Sequence, residues 1–257
     1  MTEPAHRDTA ALVIGGTQGL GLAIAAQLRA EGCTRLVVAG RDAGRGAAAV
    51  SMLGAEFMAV DLADTAGVVA LVDRASEAMG RVDALVTAGA LTDRGSILDT
   101  TPDLWDRVMA ANARGPFFAL QRFAQRAIEA GHPASAVNIL SMVVHCGQSF
   151  LAPYSASKAA LANVTKNAAN ALAKARIRVN GINCGWMDTP GEDATQRRFH
   201  GAGDGWLEKA EERQPFGMLV KPGHVAGLAA YMLGPHSGVM TGAIVDFDQN
   251  VSGAYPE

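Results

Sequence analysis

Short apolar runs alternate along the chain with longer stretches whose apolar residues recur at helical spacing. The first run, Ala11–Ile14, is followed by two glycines and by an Ala/Leu-rich stretch that ends near Ala30. Short apolar runs indicate buried strands, and the longer stretches indicate helices. The same pattern predicts the further strands Arg35–Ala39, Glu56–Val60, Asp83–Thr87, Ala136–Leu140, Ile177–Ile182 and Ala243–Phe247. Between them it predicts the helices Ala43–Leu53, Thr65–Met79 and Pro153–Lys174 and a helical region Leu104–Ala130, in which Gly115-Pro116 is a point of interruption.

This alternation predicts an α/β fold in a single domain. The strands do not alternate between apolar and polar positions, which indicates burial on both faces of a parallel sheet. Alternating strands and helices are typical of a Rossmann-type doubly wound parallel sheet, here of about seven strands with helices on both faces. Because no Pro/Gly-rich linker or change of composition divides residues 1–257, we predict one domain.

A polar segment, Thr189–Gln214, follows a late strand of this predicted sheet. Ligands bind outside the carboxyl ends of the strands in such sheets, so the segment is a candidate substrate lid. An ordinary solvent-exposed insertion explains the same composition equally well.

Composition and charge narrow the functional classes. Of the 257 residues, 49% are hydrophobic and 18% are charged, and the formal net charge is −3. A chain without a basic stripe is not expected to bind nucleic acid. It has no apolar run near the roughly 18 residues that a membrane span needs, and its first nine residues lack the apolar core of a secretory signal. The three cysteines have no metal-ligand spacing, so we expect a cytoplasmic protein without a metal site.

A glycine-rich loop follows the first strand. It runs Gly15-Gly16-Thr17-Gln18-Gly19-Leu20-Gly21. Glycines let a backbone turn tightly and approach a pyrophosphate, whose charge the helix N-terminus then stabilises. The G-x-x-x-G-x-G spacing differs from the common dinucleotide fingerprint, but its place at the start of a strand–helix series favours a phosphate loop over an ordinary turn.

Tyr154 and Lys158 are four residues apart in a predicted helix, so they share one helix face. A phenol with a pKa near 10 needs ~4 kcal/mol of stabilisation of its anion to titrate near pH 7. One ammonium about 4 Å away supplies roughly that amount at an effective dielectric constant near 20. Lys158, helped by a cationic oxidised nicotinamide, is therefore predicted to prepare Tyr154 for proton transfer. Without further context, a helix start with an exposed lysine is the simpler explanation.

Further motifs supply that context, and with them the chain resembles the short-chain dehydrogenase/reductase family nearly from end to end. Ser141 lies thirteen residues before Tyr154, which is the family's spacing for its catalytic serine, and Asn112 in Asn-Ala-Arg-Gly matches the catalytic asparagine. Further matches are Asp61-Leu62 after the third strand and Arg178-Val179-Asn180, Gly185 and Thr189 near the sixth.

The resemblance implies a nicotinamide-dependent oxidoreductase that interconverts a secondary alcohol and a ketone. Tyr154 would be the general acid/base, and Ser141 would hydrogen-bond the substrate oxygen as charge develops on it. Lys158 would lower the pKa of the tyrosine and hold the nicotinamide ribose, and Asn112 would hold a water in a proton relay. The residues implied to bind the coenzyme are Gly15, Thr17, Gln18, Gly19, Leu20, Gly21, Arg41, Asp61, Leu62, Ala88, Gly89, Tyr154, Lys158, Gly185, Met187 and Thr189.

Three positions depart from the family pattern. Ile14 replaces the usual threonine before the glycine loop, Thr87-Ala88-Gly89-Ala90 replaces Asn-Asn-Ala-Gly, and Cys184 replaces proline. The first two concern support of the coenzyme loop, and none of the three changes Asn112, Ser141, Tyr154 or Lys158.

The end of the second strand bears on the choice of coenzyme. A carboxylate there would bind the ribose hydroxyls and repel a 2′-phosphate. This strand instead ends in Gly40-Arg41, which leaves space and offers a guanidinium for bidentate pairing with phosphate. We therefore predict a preference for NADP(H). NAD(H) stays open, because Asp42 comes next, Gln18 replaces a basic residue of many NADP-type members, and Arg41 can instead stack on adenine or lie in solvent.

The residues after Ser141 and after Gly185 are expected to contact the substrate. We assign this role to Ser141, His145, Gln148, Tyr154 and Trp186, whose polar character predicts a sugar, a polyol or a hydroxy acid. One alternative is a 3-oxoacyl-carrier reductase, which should have a basic entrance that the acidic candidate lid does not offer. The other is a non-catalytic nucleotide sensor, which has no need for the four reactive residues.

The resemblance also implies an assembly, since members of the family are commonly tetramers. Their interface uses the long helices on one side of the sheet, which are Leu104–Ala130 and the helix of Tyr154 in this chain. Small residues on the second helix permit close helix packing, although some of them must face the chain's own sheet. We predict a homotetramer that acts on a small molecule.

Overall fold

Seven short apolar segments form the strands of one parallel sheet in the computed structural model, which describes residues 5–254. The strand order is β3-β2-β1-β4-β5-β6-β7, and each neighbouring pair runs parallel. The strands are β1 (Ala10–Ile14), β2 (Arg35–Gly40), β3 (Glu56–Ala59), β4 (Ala84–Thr87), β5 (Ala134–Ser141), β6 (Ile177–Cys184) and β7 (Ile244–Phe247). The order reverses direction between β1 and β4, which is where such sheets open a ligand crevice.

Helices connect the strands and cover both faces of the sheet. They are α1 (Gly19–Ala30), α2 (Ala43–Leu53), α3 (Thr65–Met79), α4 (Pro102–Met109), α5 (Gly115–Ala130), α6 (Ala152–Leu172), α7 (Pro190–His200), α8 (Trp206–Glu211) and α9 (Pro222–Leu233). The predicted Rossmann-type doubly wound fold is therefore confirmed.

The core lies in two layers, one on each side of the sheet. Successive side chains of a strand point to opposite faces. In β1, Ala11 and Val13 pack in the layer that contains α1 and α9, whereas Leu12 and Ile14 pack in the layer that contains α3 and α5. All four side chains are fully buried. Burial on both faces explains why the sequence of this strand is apolar at every position.

The predicted helical region Leu104–Ala130 differs from its expected form. The irregular part is not a break at Gly115-Pro116 but a π-helical turn, Ala110–Arg114, that joins α4 to α5. Gly115 has a packing role, because a Cβ there would lie 2.1 Å from the backbone oxygen of Leu62. The wide turn and the glycine let the helix pass close to the segment after β3.

Two later segments are more helical than the sequence pattern indicated. The candidate lid, Thr189–Gln214, contains α7 and α8, and the side chain of Thr189 caps α7 by accepting a hydrogen bond from the backbone N–H of Glu192. Helix α9 was not predicted at all. In residues 5–254 we find no helix with the length and apolar character required to cross a membrane.

Candidate active site

A crevice of about 1200 Å³ opens at the carboxyl ends of the central strands. The glycine loop after β1, the ends of β2, β4, β5 and β6, and the start of α7 border it. Every residue predicted to bind the coenzyme lines this crevice. So do Ser141, Tyr154, Gln148 and Trp186 from the predicted catalytic and substrate-binding sets.

Tyr154, Lys158 and Ser141 meet at the floor of the crevice. Tyr154 and Lys158 lie on the first two turns of α6, and Ser141 is the last residue of β5. The ammonium of Lys158 donates a hydrogen bond of 2.8 Å to the backbone oxygen of Ile139 and lies 5.8 Å from the centre of the Tyr154 ring. The predicted sharing of one helix face therefore brings both residues to the same site.

Burial shifts the pKa values of both residues on α6. It raises the pKa of Tyr154 to about 12, against the opposing effect of a hydrogen bond with the side chain of Ser141. It lowers the pKa of Lys158 to about 8. The protein's own groups thus hold the phenol in its protonated form at neutral pH. This differs from the lowered pKa expected from the sequence, because desolvation outweighs the hydrogen bond with Ser141 and the charge of Arg94.

Asn112 lies beneath the crevice rather than on its surface. It is fully buried in the π-helical turn, and its side-chain oxygen accepts a hydrogen bond of 2.7 Å from the backbone N–H of Leu91. Its Nδ2 donates to the backbone oxygen of Leu91 at 2.8 Å and to Oγ of Ser157 at 3.1 Å. These contacts tie the loop after β4 to the helix that carries Tyr154, so the side chain positions two walls of the site.

The glycines of the phosphate loop permit close contacts and an open backbone. A Cβ on Gly15 would lie 2.3 Å from the backbone nitrogen of Gly89, and a Cβ on Gly21 would lie 2.1 Å from the oxygen of Gly15. Gly19 has a φ of +52°, and the atoms nearest to its missing Cβ are 3.6 Å away on Thr189 across the crevice. The backbone here is accessible to a phosphate group in the way that a dinucleotide requires.

Two guanidinium groups lie where β2 leads into α2, Arg41 after the strand and Arg45 in the first turn of the helix, and only Arg41 was predicted from the sequence. Arg45, one turn further along, also lines the crevice and donates a hydrogen bond of 2.6 Å to Gln18. Asp42 caps α2 by accepting a hydrogen bond from the backbone N–H of Arg45, which lowers the pKa of the carboxyl. The spacing of Arg41 and Arg45 by four residues at a helix start was the available signal. These residues fit a coenzyme with a 2′-phosphate.

The three departures from the family pattern are accommodated by packing. The hydroxyl of Thr87 donates to Asn138 at 2.6 Å, and Asn138 donates to Thr165 at 2.9 Å, so a buried chain of hydrogen bonds links β4, β5 and α6. Ile14 is fully buried. Cys184 lines the crevice, where burial raises the pKa of its thiol to about 12 and keeps the thiol neutral.

His145 does not line the crevice. Its Nε2 lies 2.9 Å from Oδ1 of Asp246 and 3.1 Å from Nδ2 of Asn183, so its ring faces β6 and β7. The structure therefore does not bring His145 to the predicted substrate site. Trp186 lines the crevice and donates a hydrogen bond of 2.7 Å to Glu192, while its ring lies 6.3 Å from that of Trp206. It contacts the candidate lid.

The substrate side also contains residues to which the sequence analysis gave no role. They come from the loop after β4, from the segment before α6 and from α7. These residues are Thr92, Arg94, Phe150, Thr195 and His200. A composition pattern offered no signal for them as a set, because they come from three separate segments that only the folded chain brings together.

Comparisons with known proteins agree with this geometry. Residues 15–251 match the family model described as enoyl-(acyl carrier protein) reductase. An NADP-dependent (R)-specific alcohol dehydrogenase of Lentilactobacillus kefiri is 33% identical, over 91% of this chain and 92% of that protein. A galactitol 2-dehydrogenase of Agrobacterium fabrum is 30% identical, over 86% and 89%. A solved actinorhodin polyketide ketoreductase with NADPH superposes with a TM-score of 0.87 at 29% identity, over 97% of this chain and 100% of that one.

Proposed function

Because the chain belongs to the short-chain dehydrogenase/reductase family, whose members act on CH–OH groups, we propose that it interconverts a secondary alcohol and a ketone on a small polar molecule. One observation carries this proposal. Ser141, Tyr154 and Lys158 line the same crevice as the glycine loop, so a substrate oxygen and a nicotinamide have room to meet there. Fold alone would not justify a function, but this set of reactive side chains does.

Tyr154, Ser141 and Lys158 have different roles in proton transfer. The bound coenzyme supplies or accepts the hydride. In the direction of reduction, the hydroxyl of Tyr154 donates its proton to the substrate oxygen, and the hydroxyl of Ser141 donates a hydrogen bond as negative charge develops on that oxygen. The ammonium of Lys158, fixed by Ile139, stabilises the phenolate that Tyr154 leaves behind.

The pKa of Tyr154 makes the two directions unequal. At about 12 the phenol carries its proton at neutral pH and is ready to act as an acid. Oxidation requires the phenolate, and lowering the pKa from about 12 to about 7 requires roughly 7 kcal/mol. That stabilisation must come from the positive charge of an oxidised nicotinamide, because the pKa of about 12 already includes the effect of the protein's own charged groups. The phenol of the free protein is therefore in the protonation state that reduction uses, whereas oxidation first requires its ionisation.

NADP(H) is the coenzyme that we propose. Arg41 and Arg45 border the crevice where an adenosine 2′-phosphate would lie, and charge-assisted hydrogen bonds to phosphate favour it. The carboxylate of Asp42 is engaged in capping α2. The similar alcohol dehydrogenase is named as NADP-dependent, and the similar ketoreductase was solved with NADPH. Use of NAD(H) at lower affinity is compatible with the site.

A second candidate function is the reduction of a 3-oxoacyl group on a carrier. The similarity to a polyketide ketoreductase favours it, and the description of the matching family model also names an acyl carrier protein. The small polar substrate is supported by Gln148 and Thr92 in the crevice and by the similarity to a galactitol dehydrogenase. The homotetramer, the cytoplasmic location and the role of residues 189–214 as a lid stay predictions.

The test is a substrate screen with both coenzymes. Polyols, hydroxy acids, hydrophobic ketones and a 3-oxoacyl thioester are offered to the purified protein, and the absorbance of the reduced nicotinamide is followed. We expect turnover of polar substrates with NADP(H). We expect Tyr154→Phe to lower kcat by at least ~10²–10⁴-fold, the usual contribution of a proton-transfer group, with little change in coenzyme affinity.

Tyr231→Phe is the matched control, because Tyr231 is exposed on α9 and loses the same hydroxyl away from the crevice. Near-normal turnover in Tyr154→Phe would refute the mechanism. Turnover that is at least tenfold better with hydrophobic ketones or with the thioester would refute the proposed substrate class. Absence of turnover, with tight coenzyme binding retained, would favour a nucleotide sensor.

A further inference from the structure

We propose that Arg94 binds an anionic group of the substrate, so that the molecule reduced or oxidised is an acid (a carboxylate or a phosphate ester) rather than a neutral polyol. The proposal rests on the proposed function and names the substrate class of the same site. Its basis is a partly buried guanidinium that lines the crevice beside the reactive tyrosine and has no paired carboxylate among residues 5–254.

The position of Arg94 is fixed by aromatic rings. Its guanidinium carbon lies 5.4 Å from the centre of the Phe150 ring and 5.6 Å from that of Phe199. Arg94 is near enough to Tyr154 for each charge to shift the pKa of the other group, and burial lowers the pKa of Arg94. The guanidinium is therefore partly desolvated, held in place and close to Tyr154.

The hydrogen bonds of Arg94 leave donors for a ligand. Nη1 of Arg94 donates a hydrogen bond of 2.9 Å to the backbone oxygen of Thr92. Nε and Nη2 lie 3.3 and 3.1 Å from Nε2 of His200, and they donate to this nitrogen in the tautomer in which it carries no proton. A guanidinium has five N–H donors. These three contacts leave one N–H on each of the terminal nitrogens, and such a pair matches the two oxygens of a carboxylate or a phosphate.

The charge of Arg94 is not neutralised by an ion pair within residues 5–254, where no carboxylate oxygen lies within 4.0 Å of it. The two acids that influence it are engaged elsewhere. Glu192 accepts hydrogen bonds from Trp186 and Gln196, both at 2.7 Å, and Asp93 lies 3.6 Å from Arg107 and from Arg198. A desolvated cation without a partner is unfavourable, and an anionic substrate would remove that cost.

Neighbouring groups complete a site for an oxyanion. The hydroxyls of Thr92 and Thr195 lie 3.5 Å apart at the crevice wall, and Gln148 lines the same space. A site built around a charged donor rejects analogues that lack the matching group, because the donor is then left unpaired. A charge-assisted hydrogen bond corresponds to roughly a ten- to hundredfold difference in affinity.

The experiment compares substrates that differ only in the anion. Acetoacetate and levulinate are paired with their methyl esters in reduction, and D-gluconate is paired with D-sorbitol and with sorbitol 6-phosphate in oxidation. KM and kcat are measured with NADP(H) for the wild type, Arg94→Gln and Arg94→Lys. Arg107→Gln is the control, because it removes one exposed cation beside the same Asp93 but outside the crevice.

We expect the wild type to prefer an acid over its neutral partner by at least tenfold in kcat/KM. Arg94→Gln should raise KM for the acid roughly ten- to a hundredfold, at least tenfold more than it raises KM for the neutral partner, and Arg94→Lys should be intermediate. A change in kcat that arises from the effect of Arg94 on the pKa of Tyr154 should be the same for the acid and its neutral partner. Preference for the carboxylate or for the phosphate identifies which anion the site takes. Preference for the neutral substrates, or equal losses for acid and ester in Arg94→Gln, would overturn the proposal.

A binding measurement separates this proposal from the proposed function. If no substrate is turned over, calorimetric titration of the NADP⁺-loaded wild type and Arg94→Gln with acetoacetate and gluconate decides it. Binding that weakens at least tenfold in the variant supports Arg94 as an anion site even though the chemistry proposed above is then wrong. Equal binding by both proteins, or no binding of any acid by the wild type, overturns it. Matching thermal melts of the two proteins verify that the variant is folded.

Discussion

Lys158 links the stability of the protein to its chemistry, and Lys158→Met tests that link. The side chain is 3% exposed, and burial holds its pKa at about 8 rather than near 10.5. The unfolded chain therefore binds the proton more tightly than the folded chain does. Between pH 8 and 10.5 the unfolded state carries more protons, so the stability of the wild type should rise with pH across this window.

The size of this effect follows from the two pKa values. The difference between 10.5 and about 8 corresponds to about 3 kcal/mol of stability that is absent below pH 8 and recovered as the lysine loses its charge. Roughly 2 kcal/mol of it should appear between pH 7 and pH 10. Methionine fills a similar volume and does not titrate, so Lys158→Met should lack this dependence.

Other buried groups change the pH profile in the opposite direction. Burial raises the pKa values of Tyr154 and Cys184 to about 12, so the unfolded chain loses these protons first and stability falls as pH rises above about 9. Both groups are present in the wild type and in the variant. The part of their contribution that does not depend on Lys158 cancels in the difference between the two proteins. Loss of the Lys158 charge, which lowers the pKa of the Cys184 thiol, leaves that pKa higher in the variant and moves the difference in the same direction.

Urea unfolding at pH 7, 8.5 and 10, followed by tryptophan fluorescence, provides the measurement. The free energy of unfolding of the variant minus that of the wild type should fall by roughly 2 kcal/mol from pH 7 to pH 10. At pH 7 the variant also loses the hydrogen bond to Ile139, which costs about 1–3 kcal/mol. This loss offsets the stability that the variant gains by removing a buried charge. Turnover should be lost at every pH.

Lys166→Met is the control, because Lys166 lies exposed on the same helix and the substitution is identical. Its free energy difference from the wild type should be the same at all three pH values. If the Lys158→Met difference is equally flat, the lysine is solvated in the folded protein and the account of the site electrostatics is wrong.

Two further predictions concern the coenzyme and the assembly. Arg41→Ala and Arg45→Ala should each weaken binding of NADPH roughly ten- to a hundredfold and binding of NADH much less, because each removes a charge-assisted bond to the 2′-phosphate. Fluorescence titration measures both affinities, and equal losses for the two coenzymes would instead favour stacking of Arg41 on adenine. Light scattering at micromolar concentration should give the mass of four chains, and a mass near 26.6 kDa would contradict the predicted homotetramer.

The sheet and its flanking helices were predictable because their signals are local. Helix α2 begins and ends at the predicted residues, since Asp42 caps its start and Gly54 takes the left-handed conformation at its end. Helix α9 has Pro222 at its start and Gly234 after its end, but its apolar residues lack a clear helical period. It contains two glycines and is apolar around much of its surface, and it forms because α1 offers it a buried partner. Tertiary packing, not periodicity, determines that helix.

The reactive residues were likewise predictable from local signals, whereas the positions of the substrate-contacting residues were not. Tyr154 and Lys158 are one helical turn apart, so their meeting follows from the helix itself. His145 was misplaced because its position depends on Asp246, a residue 101 positions away on the last strand. The contact between Arg94 and His200 spans 106 positions. No sequence spacing encodes such contacts, since they depend on how two loops and α7 pack over the sheet.

The proton-transfer residues and the residues around Arg94 should tolerate substitution to different degrees. The proton-transfer residues stand on β5 and α6, which are held by the sheet and by the buried chain through Thr87, Asn138 and Thr165. The residues around Arg94 stand on a loop and on a helix of the candidate lid, which contact the sheet far less. Substitution of Arg94 or His200 should therefore alter substrate choice with little effect on stability, whereas substitution of Asn138 would disturb β4, β5 and α6 together. Specificity and chemistry are carried by parts of the fold that tolerate change to different degrees.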